Sequence, residues 1–198
     1  MSELLRAHQH WVFDMDGTLT VDAHDFEYVR QQLGLPSGSD ILAELAKLSA
    51  TEAQSKYQWL QAYEAEVAAN SVASPGVQVL LQHLVEQQAQ IAVVTRNTKA
   101  LAHITLAAIG VEHLLADTMI FGRECAPPKP DPYLLHQLAK QWSVPAQRLV
   151  MVGDFHFDLR FARAANARSV LVNTPDNLWP ELTDHYYPTL THLLAAIR

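Results

Sequence analysis

The chain is 198 residues long and 49% hydrophobic, with 21 acidic against 14 basic residues for a net charge of -7. That length holds one domain, or one domain with a small insert. The acidic balance argues against nucleic acid as the main partner, because phosphate backbones attract Lys- and Arg-rich surfaces. No apolar run approaches a membrane span, and the start "MSELLRAHQHW" lacks the apolar core of a signal peptide. Cys125 stands alone, which excludes a disulfide within the chain. The expectations are a cytoplasmic location, no membrane partner and a monomer by default.

In chain order, the first strand-like run is "WVFD" (residues 11–14), which leads through Met15 to Asp16. Gly17 breaks the strand, and Thr18 offers a hydroxyl and a free backbone amide. Residues 20–74 are too many for one crossover and hold three helical patterns. Phe26, Val29 and Leu33 share the first face, which "GLPSGS" ends; Asp40 can cap the second, with Ile41, Leu42, Leu45 and Leu48 apolar. Thr51 and Gln54 form a capping-box pattern ahead of Tyr57, Leu60, Tyr63 and Val67. Ser74 and Pro75 then read as a cap and a first-turn proline for a helix striped with Val77, Leu80, Leu81, Leu84 and Val85.

The second run is "QIAVVTRN" (residues 90–97), followed by a helix with Leu101, Ile104, Ala108 and Ile109 that Gly110 closes. Residues 118–122 form a weaker third run. Asp131 and Pro132 open a helix containing Leu134, Leu135, Leu138 and Trp142, and runs at 148–154 and 169–174 complete the series. Strands alternating with helices predict an α/β fold around a parallel sheet. The division is a core domain at 1–19 and 75–198 and a small all-α cap at 20–74. A purely structural decoration is the alternative for the insert, but its place directly after the aspartate pair favours a lid.

Polar residues fall at the strand ends: Asp14 and Asp16, then Thr95 and Asn97, then Asp154. In an open parallel sheet those ends face one crevice, where ligands bind. Two aspartates placed together there need a counter-charge, and a divalent cation is the simplest. Lys129 in "PPKPDP" and Asp158 in "GDFHFD" add charged groups to the pattern.

With "DMDGT", the threonine of "VVTRN", the lysine of "KPDP" and "GDFHFD" in this order, the sequence resembles the haloacid dehalogenase-like hydrolases of the phosphatase type. "PGVQVLLQHL" resembles their phosphoglycolate phosphatase-like branch, whose helical cap follows the first strand. The resemblance implies a Rossmann-like, doubly wound parallel sheet. It also implies that Asp14 attacks phosphorus to form an aspartyl-phosphate, and that Asp16 protonates the leaving alcohol and then activates water. Mg2+ would be held by Asp14, the backbone carbonyl of Asp16 and Asp154. Thr95 with its neighbouring amides, including Asn97, and Lys129 would hold the phosphate, with Asp158 positioning Lys129 or a metal-bound water.

Asp16 points to a phosphatase of a small phosphorylated metabolite. The rivals are a phosphomutase and a low-turnover phosphoryl-binding regulatory module. Two positions depart from the family's commonest pattern. Arg96 stands where asparagine is frequent, either as a phosphate ligand or as a solvated arginine at a helix start. Phe155 replaces a small or hydroxyl residue. His24, Asp25 and Arg123 are candidates for the substrate entrance, and His156 reads as a surface-loop histidine because magnesium prefers oxygen.

Overall fold

The computed structural model describes residue 5, residues 7–21 and residues 25–198. Among them the strands are β1 (His10–Phe13), β2 (Gln90–Val94), β3 (Ile120–Phe121), β4 (Leu149–Gly153), β5 (Arg168–Val172) and β6 (His185–Tyr187). They form one six-stranded sheet in the order β3-β2-β1-β4-β5-β6, and every pairing is parallel. The three central strands read as unbroken apolar runs because both faces are covered. Trp11, Phe13, Ile91, Val93, Val150 and Val152 point into one core layer. Val12, Ala92, Val94, Leu149 and Met151 point into the other.

Helices α1 (Phe26–Leu33), α2 (Ile41–Leu45) and α3 (Ala50–Ala69) precede α4 (Val77–Glu86), α5 (Lys99–Ala108), α6 (Tyr133–Gln141), α7 (His156–Ala164) and α8 (Leu190–Ile197). Residues of α4, α5 and α8 fill the first layer, and those of α6 and α7 fill the second. This is a Rossmann-like, doubly wound sheet. Gly110, at φ +72°, ends α5 as expected, with its amide on the Ala107 carbonyl at 3.0 Å.

Several local expectations are corrected. The capping box of α3 is Ser49 with Glu52, not Thr51 with Gln54: the Glu52 carboxylate accepts the Ser49 amide at 3.3 Å, and Ser49 Oγ accepts the Glu52 amide at 3.4 Å. A carboxylate also suits the positive end of a helix better than a neutral amide does. Pro75 lies outside α4, which starts after Gly76 at φ +91°. Phe26, Val85 and Ile104 are exposed rather than on buried stripes. The Thr18 amide is not free, since it donates to the Met15 carbonyl at 3.2 Å. β6 and α8 lie beyond 169–174, the last element the sequence pattern predicts.

Helices α1 to α3 share a small core of Val29, Leu33, Leu45 and Leu60, bordered by Tyr57, Trp59 and Tyr63. Trp59 and Tyr63 stack beside it at 5.5 Å between centroids, and Tyr28 lies tilted against both. An antiparallel bridge between Thr20 and Ala73 closes the base of this segment.

Candidate active site

The site is built at the carboxyl ends of β1, β2 and β4. Phe13 pairs with Val152, and the Asp14 amide donates to the Val152 carbonyl at 2.9 Å. That register sets Asp14 opposite Gly153 and so near Asp154, one residue further on. Two glycines allow the approach. A Cβ on Gly17, which sits at φ +80°, would meet Asp154 Oδ2 at 2.5 Å, and one on Gly153 would run into the Asp158 side chain. Ligand oxygens of Asp14, Asp154 and Asp158 lie within 4.8 Å of one another.

Lys129 reaches into this cluster from the loop before α6. Its Nζ donates to Asp14 Oδ1 at 2.5 Å, Asp158 Oδ1 at 2.6 Å and the Val94 carbonyl at 3.1 Å. All three ammonium protons therefore have acceptors. Burial raises the Asp14 carboxyl well above the ordinary aspartate range, and Asp158 adds to this while Lys129 opposes it. Burial, then Asp158, pushes Asp154 up to about 7; the Thr18 hydroxyl, donating at 2.7 Å, works the other way. Burial works against the Lys129 ammonium, but Asp14 and Asp158 outweigh it and hold its pKa above the usual lysine value.

Asp16 is held separately. Its Oδ2 accepts from the Thr95 hydroxyl at 3.2 Å and from the Asn97 side-chain amide at 3.0 Å. The structure thus brings Asp14, Lys129, Asp154 and Asp158 into one cluster, with Asp16, Thr95 and Asn97 beside it. Asn173 was overlooked. Its side chain, at the end of β5, donates to the carbonyls of Gly17 and Thr18 at 3.0 and 2.8 Å and so fixes the loop after β1. The signal for it was the same as for Thr95, a polar residue where an apolar strand stops.

The outlying candidates go elsewhere. Arg123 makes a two-pronged ion pair with Glu64 of α3 at 3.0 and 3.1 Å, which explains why Glu64 is buried. Arg96 Nη2 meets Asp40, the cap residue of α2, at 2.5 Å, and its guanidinium lies 4.9 Å from the Phe157 ring centroid. Asp25 caps α1 through the Tyr28 amide at 2.8 Å, and His24 lies outside the described residues. His156 is not on a loop: it opens α7, half-buried between the rings of Phe155 and Phe157. Burial, then Arg160, lowers its pKa.

The donor chemistry fits a hard divalent cation. The cluster offers only carboxylate oxygens, and one lysine leaves three crowded aspartates with excess negative charge, a deficit that magnesium with all-oxygen ligands answers.

This all-parallel sheet, with the aspartate cluster at its strand ends, defines an α/β protein of Rossmann-like architecture. The chain belongs to the haloacid dehalogenase-like hydrolase family, whose model matches residues 21–172, and it is an enzyme of the phosphatase type. A phosphoglycolate phosphatase of Xanthomonas campestris pv. campestris is 30% identical over 178 residues, covering 80% of this chain and 80% of its own length. Among solved structures, a predicted phosphoglycolate phosphatase from Haemophilus somnus superposes with a TM-score of 0.75 at 20% identity, over 96% of this chain and 98% of that one. A family hydrolase from Deinococcus radiodurans, with bound phosphate and sodium, gives 0.70 at 18% identity, over 96% and 95%. Among the described residues, no helix is long and apolar enough to cross a membrane.

Proposed function

We propose that the chain is a magnesium-dependent phosphatase that hydrolyses a small phosphorylated metabolite in the cytoplasm through an aspartyl-phosphate. The observation that carries this reading is the division of labour between the two aspartates after β1. Asp14 is ion-paired to Lys129, whereas Asp16 is held by Thr95 and Asn97. Paired carboxylates in different surroundings are the arrangement that separates a nucleophile from an acid.

In the first step an Asp14 carboxylate oxygen bonds to phosphorus as the ester P–O bond breaks, and Asp16 gives its proton to the departing alkoxide. In the second, Asp16 takes a proton from a water that attacks phosphorus, which frees phosphate and restores the Asp14 carboxylate. Lys129 fixes the reacting carboxylate and, with Thr95 and Asn97, supplies donors for the phosphate oxygens. Asp158 positions Lys129 from the far side. Asp14, Asp154 and the backbone carbonyl of Asp16 would hold magnesium, which would supply neutralising charge for the phosphate and the carboxylates. Residues 20–74 act as the cap: they are tied to the sheet domain by Arg96–Asp40 and Arg123–Glu64 and exclude bulk water from the attack on phosphorus.

The test is brief incubation with p-nitrophenyl phosphate and magnesium, quenched in acid. Phosphate should be found on the protein in a hydroxylamine-sensitive bond, and Asp14→Asn should abolish both the adduct and turnover while leaving the fold intact. Turnover that persists in folded Asp14→Asn, or in excess chelator, would sink the mechanism.

A further inference from the structure

Two arginines on the sheet domain meet carboxylates of the helical segment, and they are used differently. Arg123 spends both Nη groups on the two oxygens of Glu64. Arg96 makes one ion pair, from Nη2 to Asp40, while its Nε is buried and has no partner. An orphaned buried N–H of a charged group is costly and calls for an acceptor. Arg96 follows Thr95 at the end of β2, and its guanidinium lies against Phe157, which follows Asp154 at the end of β4. Because β1 lies between β2 and β4, the guanidinium reaches across the strand that carries Asp14. The Phe157 face fixes its plane.

We propose that Arg96 is a specificity-determining residue that takes the carboxylate of a phosphorylated carboxylic acid, and that Asp40 is the stand-in which substrate displaces. The inference rests on the phosphatase reading. A carboxylate is the group that matches the guanidinium fork of Nε and Nη2, and Asp40, itself a carboxylate, already fills half of it. Displacing Asp40 satisfies the orphaned Nε and links substrate binding to the position of α2. Arg123, with both Nη groups engaged, is a strut with no donor pair to exchange.

The experiment measures kcat/KM for 2-phosphoglycolate and for ethyl phosphate, esters that differ in the carboxylate, with the wild type, Arg96→Lys and Asp40→Asn. Wild type should prefer the carboxylated ester. Arg96→Lys keeps the charge but loses the fork, and should reduce the preference about 10- to 100-fold, the range for hydrogen bonds to charged groups. Asp40→Asn removes the competitor and should lower KM for 2-phosphoglycolate relative to ethyl phosphate. If wild type hydrolyses both esters equally well, or both variants change the two esters in parallel, the inference is overturned and Arg96–Asp40 is only a strut. If wild type hydrolyses neither those esters nor p-nitrophenyl phosphate, the phosphatase reading itself falls. Melting curves establish that each variant is folded, and the wild-type preference decides the matter if a variant is not.

Discussion

Lys129→Met removes the only cation that touches the aspartate cluster among the described residues, and its cost follows from burial. The side chains of Lys129, Asp14 and Asp158 are 3%, 11% and 3% exposed, so solvent screening gives little relief. Breaking a buried ion pair by deleting one partner costs about 3–5 kcal/mol. For a chain of this length that corresponds to a fall in melting temperature of roughly 6–20 °C. The loss should also depend on pH. Asp14 already has a raised carboxyl pKa, and without the ammonium it rises further. The variant is then favoured by protonation and loses stability as pH climbs. Urea titrations in chelator at pH 5 and pH 8 would measure this, with the larger deficit expected at pH 8. A loss under about 1 kcal/mol, or a larger deficit at pH 5, would refute the view that Lys129 is the neutralising group.

Two further outcomes are expected. In the metal-free protein Asp154 titrates at about 7, above its unfolded value, so its contribution to stability is full at low pH and disappears as pH rises through 7. Magnesium offsets that charge, so the melting-temperature gain on adding it should be larger at pH 8 than at pH 6; an equal gain would contradict the assignment. Asp16→Asn should slow ethyl phosphate more than p-nitrophenyl phosphate, because the poorer leaving group needs the acid more. Parallel losses measured by phosphate release would remove Asp16 from that role.

The sheet was legible because its central strands are covered on both faces, so Trp11 to Phe13, Ile91 to Val94 and Leu149 to Val152 read as apolar runs. The aspartate cluster was legible for the complementary reason, since carboxylates where such runs stop are rarely idle. β6 was not legible: His185, Tyr186 and Tyr187 form a half-buried edge strand without an apolar run. Nor were the partners of Arg96 and Arg123. Asp40 carries a helix-capping signal that accounts for it locally, through the Ala43 amide at 3.0 Å. Glu64 lies on the exposed-looking pattern of α3, and only the fold shows that it is buried against Arg123. Pairs 56 and 59 residues apart leave no periodic trace.

The crowding of charge at this site is imposed by backbone. The parallel register places Phe13 beside Val152, so Asp14 leaves β1 opposite Gly153, one residue before Asp154. Gly17 and Gly153 leave room for the Asp154 and Asp158 side chains, and Asn173 pins the loop after β1. Ionising the members of this cluster is costly in the folded state, first because they are buried and then because they crowd one another, as the upward shifts of Asp14 and Asp154 show. The strands beneath it are buried throughout: Trp11, Val12, Phe13, Val150, Met151 and Val152 are at most 1% exposed. Close-packed strands deform little, so the aspartates cannot relax apart. Repulsion that backbone motion cannot relieve must be met by counter-charge, and among the described residues Lys129 is the cation placed to supply it.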